Sequence, residues 1–307
     1  MNQHPLIIYV PGLLPKPEPT THRAALLRCL LAGVRRIDAD IAMQMEAADD
    51  CFDIVAWTYD FYSEHRDFAL DAAAVDAVVL QLSASEQDRD EATSLRRRLL
   101  RDLFRLGDLM PFLIPHIATE RMALHLRDLR RYVQNHNDIA ENVRRRLKQP
   151  LRAAQAAGRP VLLIAHSMGS VIAFETLWQL SRIDRDPVRV DALLTMGSPL
   201  GQNYIQKRIK GCDAIGAVRY PDNIRRWINL SAVGDLTAID PTLHDDFGAM
   251  LEYGLVECID DRKIYNWFRL NGELNPHAEF GYLVNAVTAD VVVDWWRAVS
   301  PARDSDG

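Results

Sequence analysis

The sequence predicts a single α/β domain over residues 1–307, with a mostly parallel sheet of about six strands flanked by helices. Three observations indicate this class. Short apolar runs end abruptly at turns, as strands that are buried on both faces do. Segments with helical spacing separate these runs, and alternating strands and helices build parallel sheets. The length of 307 residues is sufficient to bury a sizeable core.

Composition and charge narrow the range of functions before any motif is considered. Hydrophobic residues make up 48% of the chain and charged residues 25%, close to the averages of globular proteins. The formal net charge of -6 gives no reason to expect a nucleic acid as partner. The four cysteines are scattered without metal-ligand spacing, so we expect reduced thiols and no bound metal.

The N-terminus and the hydropathy pattern indicate a cytoplasmic protein. The segment Met1–Pro5 lacks the basic region of a secretory signal. No apolar run approaches the roughly 20 residues that a membrane span needs. Residues 300–307 are polar, and we expect them to form a disordered tail. The sequence carries no signal for an oligomeric state.

Strand and helix candidates alternate along most of the chain. Strands are expected at residues 6–10, 52–57, 161–165, 190–196 and 225–230. Two shorter candidates, at residues 256–260 and 263–268, form either a hairpin or one edge strand. Helices are expected from Thr20 or Thr21 toward Ala48, directly after residue 167, and from Phe280 to Val299.

Residues 62–157 differ from the rest of the chain, and we expect them to form a helical insertion or cap. Residues 46–91 carry 13 acidic against 2 basic residues, whereas residues 95–152 carry 14 basic against 6 acidic. Either the opposite faces pair or are solvated, or a basic surface makes weak contact with anionic lipid or an anionic substrate. The apolar segment 109–115 forms either a lid tip over a pocket or a buried helix connection.

The segment Val161–Ser170 contains the residues on which a chemical hypothesis depends. A run of five apolar residues ends in His166-Ser167-Met168-Gly169, and a helix-competent segment follows at once. A buried strand, a sharp turn and a helix are the context of a Gly-x-Ser-x-Gly nucleophile elbow. Ala165 stands at the first glycine position and still meets the demand for a small residue. Ser167 is therefore the candidate nucleophile.

Two histidines are candidates for the base that a serine nucleophile needs. In this arrangement the partners follow the serine in the order acid, then histidine, and His244 and His277 are the histidines downstream of Ser167. His277 lies in a turn between the last strand candidate and the last helix, where the edge of a parallel sheet collects catalytic loops. His244 lies among acidic residues with no clear strand before it. We favour His277, with His244 as the alternative.

Two carboxylates are candidates for the acid that orients the histidine. Asp235 follows Gly234 directly beyond the strand at 225–230, so its carboxylate lies at the sheet edge near an incoming imidazole. Asp240 lies further on and precedes a proline, which is a common turn arrangement. We favour Asp235, with Asp240 as the alternative.

Backbone N–H groups are expected to stabilise the negative charge that develops on the attacked oxygen. One is the N–H of Met168, and the other comes from the loop after the first strand. Pro11 has no N–H, so the second donor is Leu13 or Leu14, and Gly12 gives the backbone freedom to aim it. The residues expected to contact the substrate are Gly12, Leu13, His166 and Phe112.

Four segments follow one another in a recognisable order. They are Ala165–Ser170, Thr195–Gly201, Trp227–Asn229 before Gly234-Asp235, and Asn275–His277 before Tyr282-Leu283. Together they resemble an α/β-hydrolase of the lipase/esterase kind, over residues 6 to about 299 apart from the helical insertion. The resemblance implies a Ser-His-Asp triad, a covalent acyl-enzyme intermediate and no cofactor.

The chain departs from this family in four places, the first of which is Ala165 in place of the first elbow glycine. The common His-Gly pair after the first strand is Pro11-Gly12 here. The sheet begins at the family's third strand, and the large insertion precedes the elbow. The substrate preference of a family cap therefore does not carry over to residues 62–157.

The expected function is hydrolysis of a carboxylic ester, either a small molecule or a lipid-like one. Ser167 is the nucleophile, His277 acts first as base and then as acid, and Asp235 orients His277. Acyl transfer or thioester cleavage uses the same acyl-enzyme and is one alternative. A non-catalytic binding module is another, although an intact set of Ser, Asp and His in the right order argues against it.

Overall fold

Six parallel strands form one sheet within residues 4–109 and 120–300, the part of the chain that the computed structural model describes. The strand order is β2-β1-β3-β4-β5-β6. The strands are β1 (Leu6–Val10), β2 (Phe52–Ile54), β3 (Val161–His166), β4 (Val190–Met196), β5 (Ile224–Ala232) and β6 (Cys258–Ile264). The predicted α/β class with a six-stranded parallel sheet is confirmed.

Helices cover the sheet and fill most of the long connections. They are α1 (Pro19–Ile37), α2 (Ala39–Ala47), α3 (Thr58–Tyr62), α4 (Ala69–Leu80), α5 (Glu86–Ala92), α6 (Leu95–Leu109), α7 (Glu120–Val133), α8 (Ile139–Ala156), α9 (Met168–Trp178), α10 (Asn203–Gln206), α11 (Leu243–Phe247), α12 (Ala249–Glu252), α13 (Glu279–Leu283) and α14 (Ala286–Val299). A short antiparallel pair, β7 (Arg269–Leu270) and β8 (Glu273–Leu274), follows β6. Among the described residues, no helix has the length and apolar character needed to cross a membrane.

The sheet is buried on both faces, because successive side chains of each strand enter two different apolar layers. Leu163 and Ala165 of β3 pack in the layer that contains α8 and α9. Leu162 and Ile164 pack in the layer that contains α1 and α14. The continuous apolar runs in the sequence are therefore explained by burial on both sides.

Several element boundaries differ from those expected. The first helix begins at Pro19, without a threonine cap, and Asp38 interrupts it because its carboxylate accepts the N–H groups of Asp40 and Ile41 and so starts α2. β2 ends at Ile54, earlier than residue 57. The two candidates between residues 256 and 268 form the single edge strand β6. The last helix divides at Asn285, whose side chain accepts the N–H of Val287.

Ion pairs engage part of the charge of the long helical span, α3 to α8. Arg146 of the basic part bonds Asp60 of the acidic part. Asp88 and Glu91 of the acidic part pair instead with Arg269 of β7, which lies outside the helical span, at 2.8 and 2.9 Å. Part of the charge is therefore paired within the span and part against the sheet-bearing portion of the chain.

A buried ion pair joins α8 and α9, the helices that come directly before and after β3 in the chain. The guanidinium of Arg144 in α8 donates to the carboxylate of Glu175 in α9 at 2.7 Å, and both side chains are buried. The hydroxyl of Tyr132 donates to the same carboxylate oxygen at 2.8 Å. Because a buried charge is stable only when it is paired, this contact fixes α8 against α9.

Glu175→Ala is expected to lower the free energy of unfolding by about 3 kcal/mol, because it removes the buried partner of the Arg144 guanidinium and leaves only the more exposed Glu141. Glu257→Ala is the matched control, since Glu257 pairs with Arg225 at 3.0 Å but both side chains are exposed. That control should change stability little. Urea-induced unfolding measures both variants, and equal losses would contradict the importance of the buried pair.

Candidate active site

Ser167 lies at the turn between β3 and α9 in a strained backbone conformation. Its φ of 54° and ψ of -127° fall in a region that residues with a side chain rarely adopt. The N–H of Ser167 donates to the Met196 carbonyl at 2.8 Å. The Ser167 carbonyl accepts from the Ser170 N–H at 2.9 Å and from the Ser170 hydroxyl at 2.6 Å. The strain is therefore held by hydrogen bonds on both sides of the turn.

Two glycines allow the chain to pass close to this turn. A Cβ on Gly169 would lie 2.2 Å from the carbonyl oxygen of Val10, so α9 begins directly against the end of β1. A Cβ on Gly12 would lie 2.7 Å from the Cβ of Ser167, so the loop after β1 crosses the nucleophile itself. Gly12 was expected to contact substrate, and the structure places it beside the serine.

The three residues predicted as a triad lie in one hydrogen-bonded chain. Nε2 of His277 is 2.9 Å from Oγ of Ser167, and Nδ1 of His277 is 2.8 Å from Oδ2 of Asp235. The Asp235 side chain is fully buried, whereas the His277 side chain is 26% exposed. A carboxylate only accepts hydrogen bonds, so Nδ1 carries the proton and Nε2 is left to accept from the serine hydroxyl.

The Asp235 carboxylate is held in its ionised form. Its Oδ1 accepts from the Thr237 N–H and its Oδ2 from the Tyr282 hydroxyl, both at 2.8 Å. The Tyr282 hydroxyl oxygen accepts in turn from the Ala232 N–H at 2.8 Å. Burial alone would raise the pKa of Asp235, but the His277 imidazole and these donors hold that pKa below its ordinary value.

The alternative acid and base lie elsewhere. The Asp240 carboxylate accepts from the N–H and the hydroxyl of Thr242, at 3.1 and 2.9 Å, as in an ordinary turn. The His244 side chain is 57% exposed, and its ring lies 3.8 Å from the Asp245 carboxylate. The geometry thus brings together the favoured acid and base and leaves the two alternatives in other contacts.

Buried side chains fix the loop that carries His277. The Asn266 amide donates to the carbonyls of Pro276 and Ala278, at 2.9 and 2.8 Å. Nε2 of His166 bonds the carbonyl of His277 at 2.8 Å. Three consecutive carbonyls of the loop are therefore bonded, which fixes the direction of the imidazole.

His166, which the sequence analysis placed against the substrate, contacts the loop of His277 in the structure. The side chain is buried and bonded to the backbone of His277. Burial, with a smaller effect of the neighbouring His277, lowers the pKa of His166 to about 3. A neutral ring with a proton on Nε2 fits a bond to a carbonyl, so His166 supports the backbone of His277.

Of the two oxyanion donors proposed in the loop after β1, Leu14 is already engaged. Its N–H donates to the Tyr62 hydroxyl at 3.0 Å, and the Tyr62 hydroxyl donates to Asp128 at 3.0 Å. The left-handed backbone at Leu14, with φ of 75°, accompanies this bond. Of the two, Leu13 remains the candidate donor. Phe112, the remaining substrate candidate, lies outside the described residues.

A second buried carboxylate ties the loop after β1 to the loop of His277. Oε1 of Glu279 accepts from Lys16 at 2.9 Å and lies 3.0 Å from Nε2 of His22. Oε2 of Glu279 accepts from the Tyr9 hydroxyl at 2.9 Å. Burial alone would raise the pKa of Glu279, but Lys16 and His22 hold it well below its ordinary value. Because Glu279 closely follows His277 in the chain, this network links the two loops.

Three supporting residues were not identified from the sequence. Tyr282 was interpreted as an apolar position of the last helix, although its hydroxyl bonds the acid. Glu279 gave no signal, since its partners are distant in the chain. At Gly197 a Cβ would lie 2.8 Å from the Asp235 carboxylate and 3.0 Å from the His277 ring. A glycine directly beyond a strand was the available signal there.

Within the described residues, no cluster of three His, Cys, Asp or Glu side chains could hold a metal ion.

In comparisons with known proteins, no family model, no curated protein and no solved structure matches this chain. A functional hypothesis for the site therefore depends on its residues and their contacts.

Glu279→Gln is expected to destabilise the protein in a pH-dependent way. The folded-state pKa of Glu279 is lowered, so its contribution to stability is present above the ordinary glutamate pKa of about 4.3 and is lost as the pH falls further. The difference in unfolding free energy between wild type and variant should therefore be large at neutral pH and shrink under acid conditions. Urea unfolding across this pH range measures it.

Glu257→Gln is the matched control for this pH series, because the Glu257 side chain is exposed. Its difference from wild type should stay small at every pH. A Glu279→Gln penalty that is the same at neutral and acid pH would contradict the role assigned to the ionised carboxylate.

Proposed function

We propose that this chain is a serine hydrolase of the α/β-hydrolase fold that cleaves carboxylic esters through an acyl-enzyme. The observation that carries the proposal is a series of two hydrogen bonds. Ser167, on a strained strand-to-helix turn, is 2.9 Å from His277, and His277 is 2.8 Å from Asp235. A serine hydroxyl, an imidazole and a buried carboxylate in this arrangement are the parts that acyl transfer through a serine requires.

The position of these residues in the sheet supports the finer fold assignment. The nucleophile follows β3, the acid follows β5, and the histidine follows β6 and the short hairpin. All three lie beyond the carboxyl ends of parallel strands, where open α/β sheets hold their sites. The order of serine, acid and histidine along the chain is that of α/β-hydrolases. The sheet order fits a version of this fold that begins at its third strand.

In the first half of the proposed reaction, Ser167 becomes acylated. Its Oγ attacks the ester carbonyl carbon while Nε2 of His277 takes the hydroxyl proton. Asp235 keeps the proton of the imidazolium on Nδ1 and stabilises its positive charge. When the tetrahedral intermediate collapses, the bond to the leaving alcohol breaks, and His277 gives its proton to that alcohol. The products of this half are the free alcohol and the acyl-enzyme.

In the second half, water releases the acyl group. His277 takes a proton from a water molecule, whose oxygen attacks the acyl carbon of the ester on Ser167. Collapse of the second intermediate breaks the bond to Oγ, and His277 returns the proton to the serine. A carboxylic acid leaves, and the starting state of the triad is restored.

Backbone donors stabilise both intermediates in this proposal. The N–H of Met168, at the start of α9, and that of Leu13, in the loop after β1, are directed to the carbonyl oxygen of the substrate. One such donor typically supplies about 3–4 kcal/mol of transition-state stabilisation. Gly12 brings the loop against Ser167, and the Tyr62 bond to Leu14 holds the next residue of that loop.

Ser167→Ala is expected to abolish turnover of a short p-nitrophenyl ester, because it removes the attacking oxygen. A loss of about 10⁴-fold or more in kcat is the typical result of removing a triad nucleophile. Release of p-nitrophenolate, followed by absorbance, measures it, and circular dichroism checks that the fold is intact. Undiminished turnover by the folded variant would remove the basis of the proposal.

The same assay tests the choice of acid by comparing the same substitution at Asp235 and at Asp240. Asp235→Asn should reduce kcat by orders of magnitude, because an amide does not stabilise the imidazolium or fix its tautomer. Asp240→Asn should be nearly neutral, since Asp240 bonds Thr242. Greater damage from Asp240→Asn than from Asp235→Asn would mean that the acid has been assigned to the wrong carboxylate.

A further inference from the structure

Helix α6 exposes a row of leucines to solvent. The four side chains share one face of the helix, because positions three or four apart are neighbours on a helix surface. They are Leu95, Leu99, Leu103 and Leu106, which are 73%, 57%, 42% and 40% exposed. Soluble proteins rarely leave a contiguous apolar surface of this kind uncovered unless it binds something.

The opposite side of α6 is bonded to the loops around the candidate site. The Arg97 guanidinium donates to the carbonyl of Gly234, next to the candidate acid, at 3.2 Å and to the carbonyl of Leu274 at 2.7 Å. The Asp108 carboxylate accepts from the Tyr204 N–H at 2.9 Å. These bonds orient the helix, so the leucine row faces away from the sheet.

Positive charge flanks the leucine row. The Arg96 and Arg98 side chains of α6 are exposed, and Arg101 is half-buried. Asp102 of α6 is also exposed and lies 3.8 Å from Arg101. A helix with an apolar face bordered by arginines is the pattern of helices that lie in the interface of a bilayer with anionic lipids.

The same charges argue against a second copy of the chain as the occupant. If two leucine rows packed face to face, the arginines beside each row would approach those of the other copy. Like charges that are brought close together repel. Anionic lipid head groups provide the opposite charge for Arg96 and Arg98, and the acyl region takes up the leucines.

We propose that α6 docks this protein on the surface of a bilayer that contains anionic lipids. The leucine row enters the boundary between head groups and acyl chains, while the flanking arginines contact lipid phosphates. Since Arg97 joins the opposite side of α6 to the loops of Asp235 and His277, α6 lies between the bilayer and those loops when the protein is docked. Docking is therefore independent of the proposed ester hydrolysis and is measured without turnover.

The test is co-sedimentation of the full-length Ser167→Ala protein with sucrose-loaded vesicles. One set contains phosphatidylcholine alone, and the other contains phosphatidylcholine with a quarter of phosphatidylglycerol. The protein should sediment with the anionic vesicles and much less with the neutral ones. In that background, Leu99→Glu with Leu103→Glu should weaken binding by about tenfold or more, because both apolar side chains are replaced by anions. Arg96→Glu with Arg98→Glu should weaken it by a similar factor and remove the preference for anionic lipid.

Leu80→Glu with Leu82→Glu is the matched control, because these leucines are 81% and 73% exposed but lie outside α6. This variant should bind vesicles like its parent. Docking through α6 is overturned if the parent protein does not sediment with anionic vesicles, or if the α6 leucine variant binds as well as this control. A leucine-dependent dimer in analytical ultracentrifugation, without vesicle binding, would also overturn it. Ester turnover is measured separately, with the same α6 substitutions made in the wild-type protein that keeps Ser167. If these variants lose vesicle binding but retain turnover, docking through α6 is supported and the proposed hydrolysis is unaffected.

Discussion

The buried carboxylate of Asp235 is the feature on which the rest of the candidate site depends. A charge removed from water is costly unless hydrogen bonds and opposite charge surround it. Here the donors come from three parts of the chain, namely the Thr237 backbone, the Tyr282 hydroxyl and the His277 ring. Because the carboxylate is ionised, it fixes the His277 tautomer and thereby leaves Nε2 to accept a proton from Ser167.

A second buried carboxylate extends this arrangement to the loop after β1. Glu279 binds Lys16 of that loop, and Asn266 and His166 hold the carbonyls around His277. The nucleophile is held separately, by hydrogen bonds that span its strained turn. The positions of Ser167, His277 and the loop after β1 are thus set by buried polar contacts, which fix direction more sharply than apolar packing does.

The strands of the sheet and the turn at Ser167 were predictable from the sequence because their signals are local. Continuous apolar runs indicated the strands, and a serine between small residues at a strand end indicated the turn. The supporting contacts were not predictable, since they join residues that are distant in the chain. Tyr9 and Glu279, which are hydrogen-bonded, are 270 positions apart in the sequence, and Tyr62 and Leu14 are 48 positions apart. The contacts of His166 and Leu14 were not predictable for the same reason, because their partners are known only once the fold brings them together.

The central claim is that Ser167 is a nucleophile activated by His277 and Asp235. Its most direct test is reaction of the folded protein with a fluorophosphonate, followed by mass spectrometry of the labelled peptide. We expect one phosphonylated serine, Ser167, and labelling that becomes far slower when His277 is replaced by alanine. A folded protein that takes up no label, or that carries it on another serine such as Ser198, would contradict the assignment of Ser167 as the nucleophile.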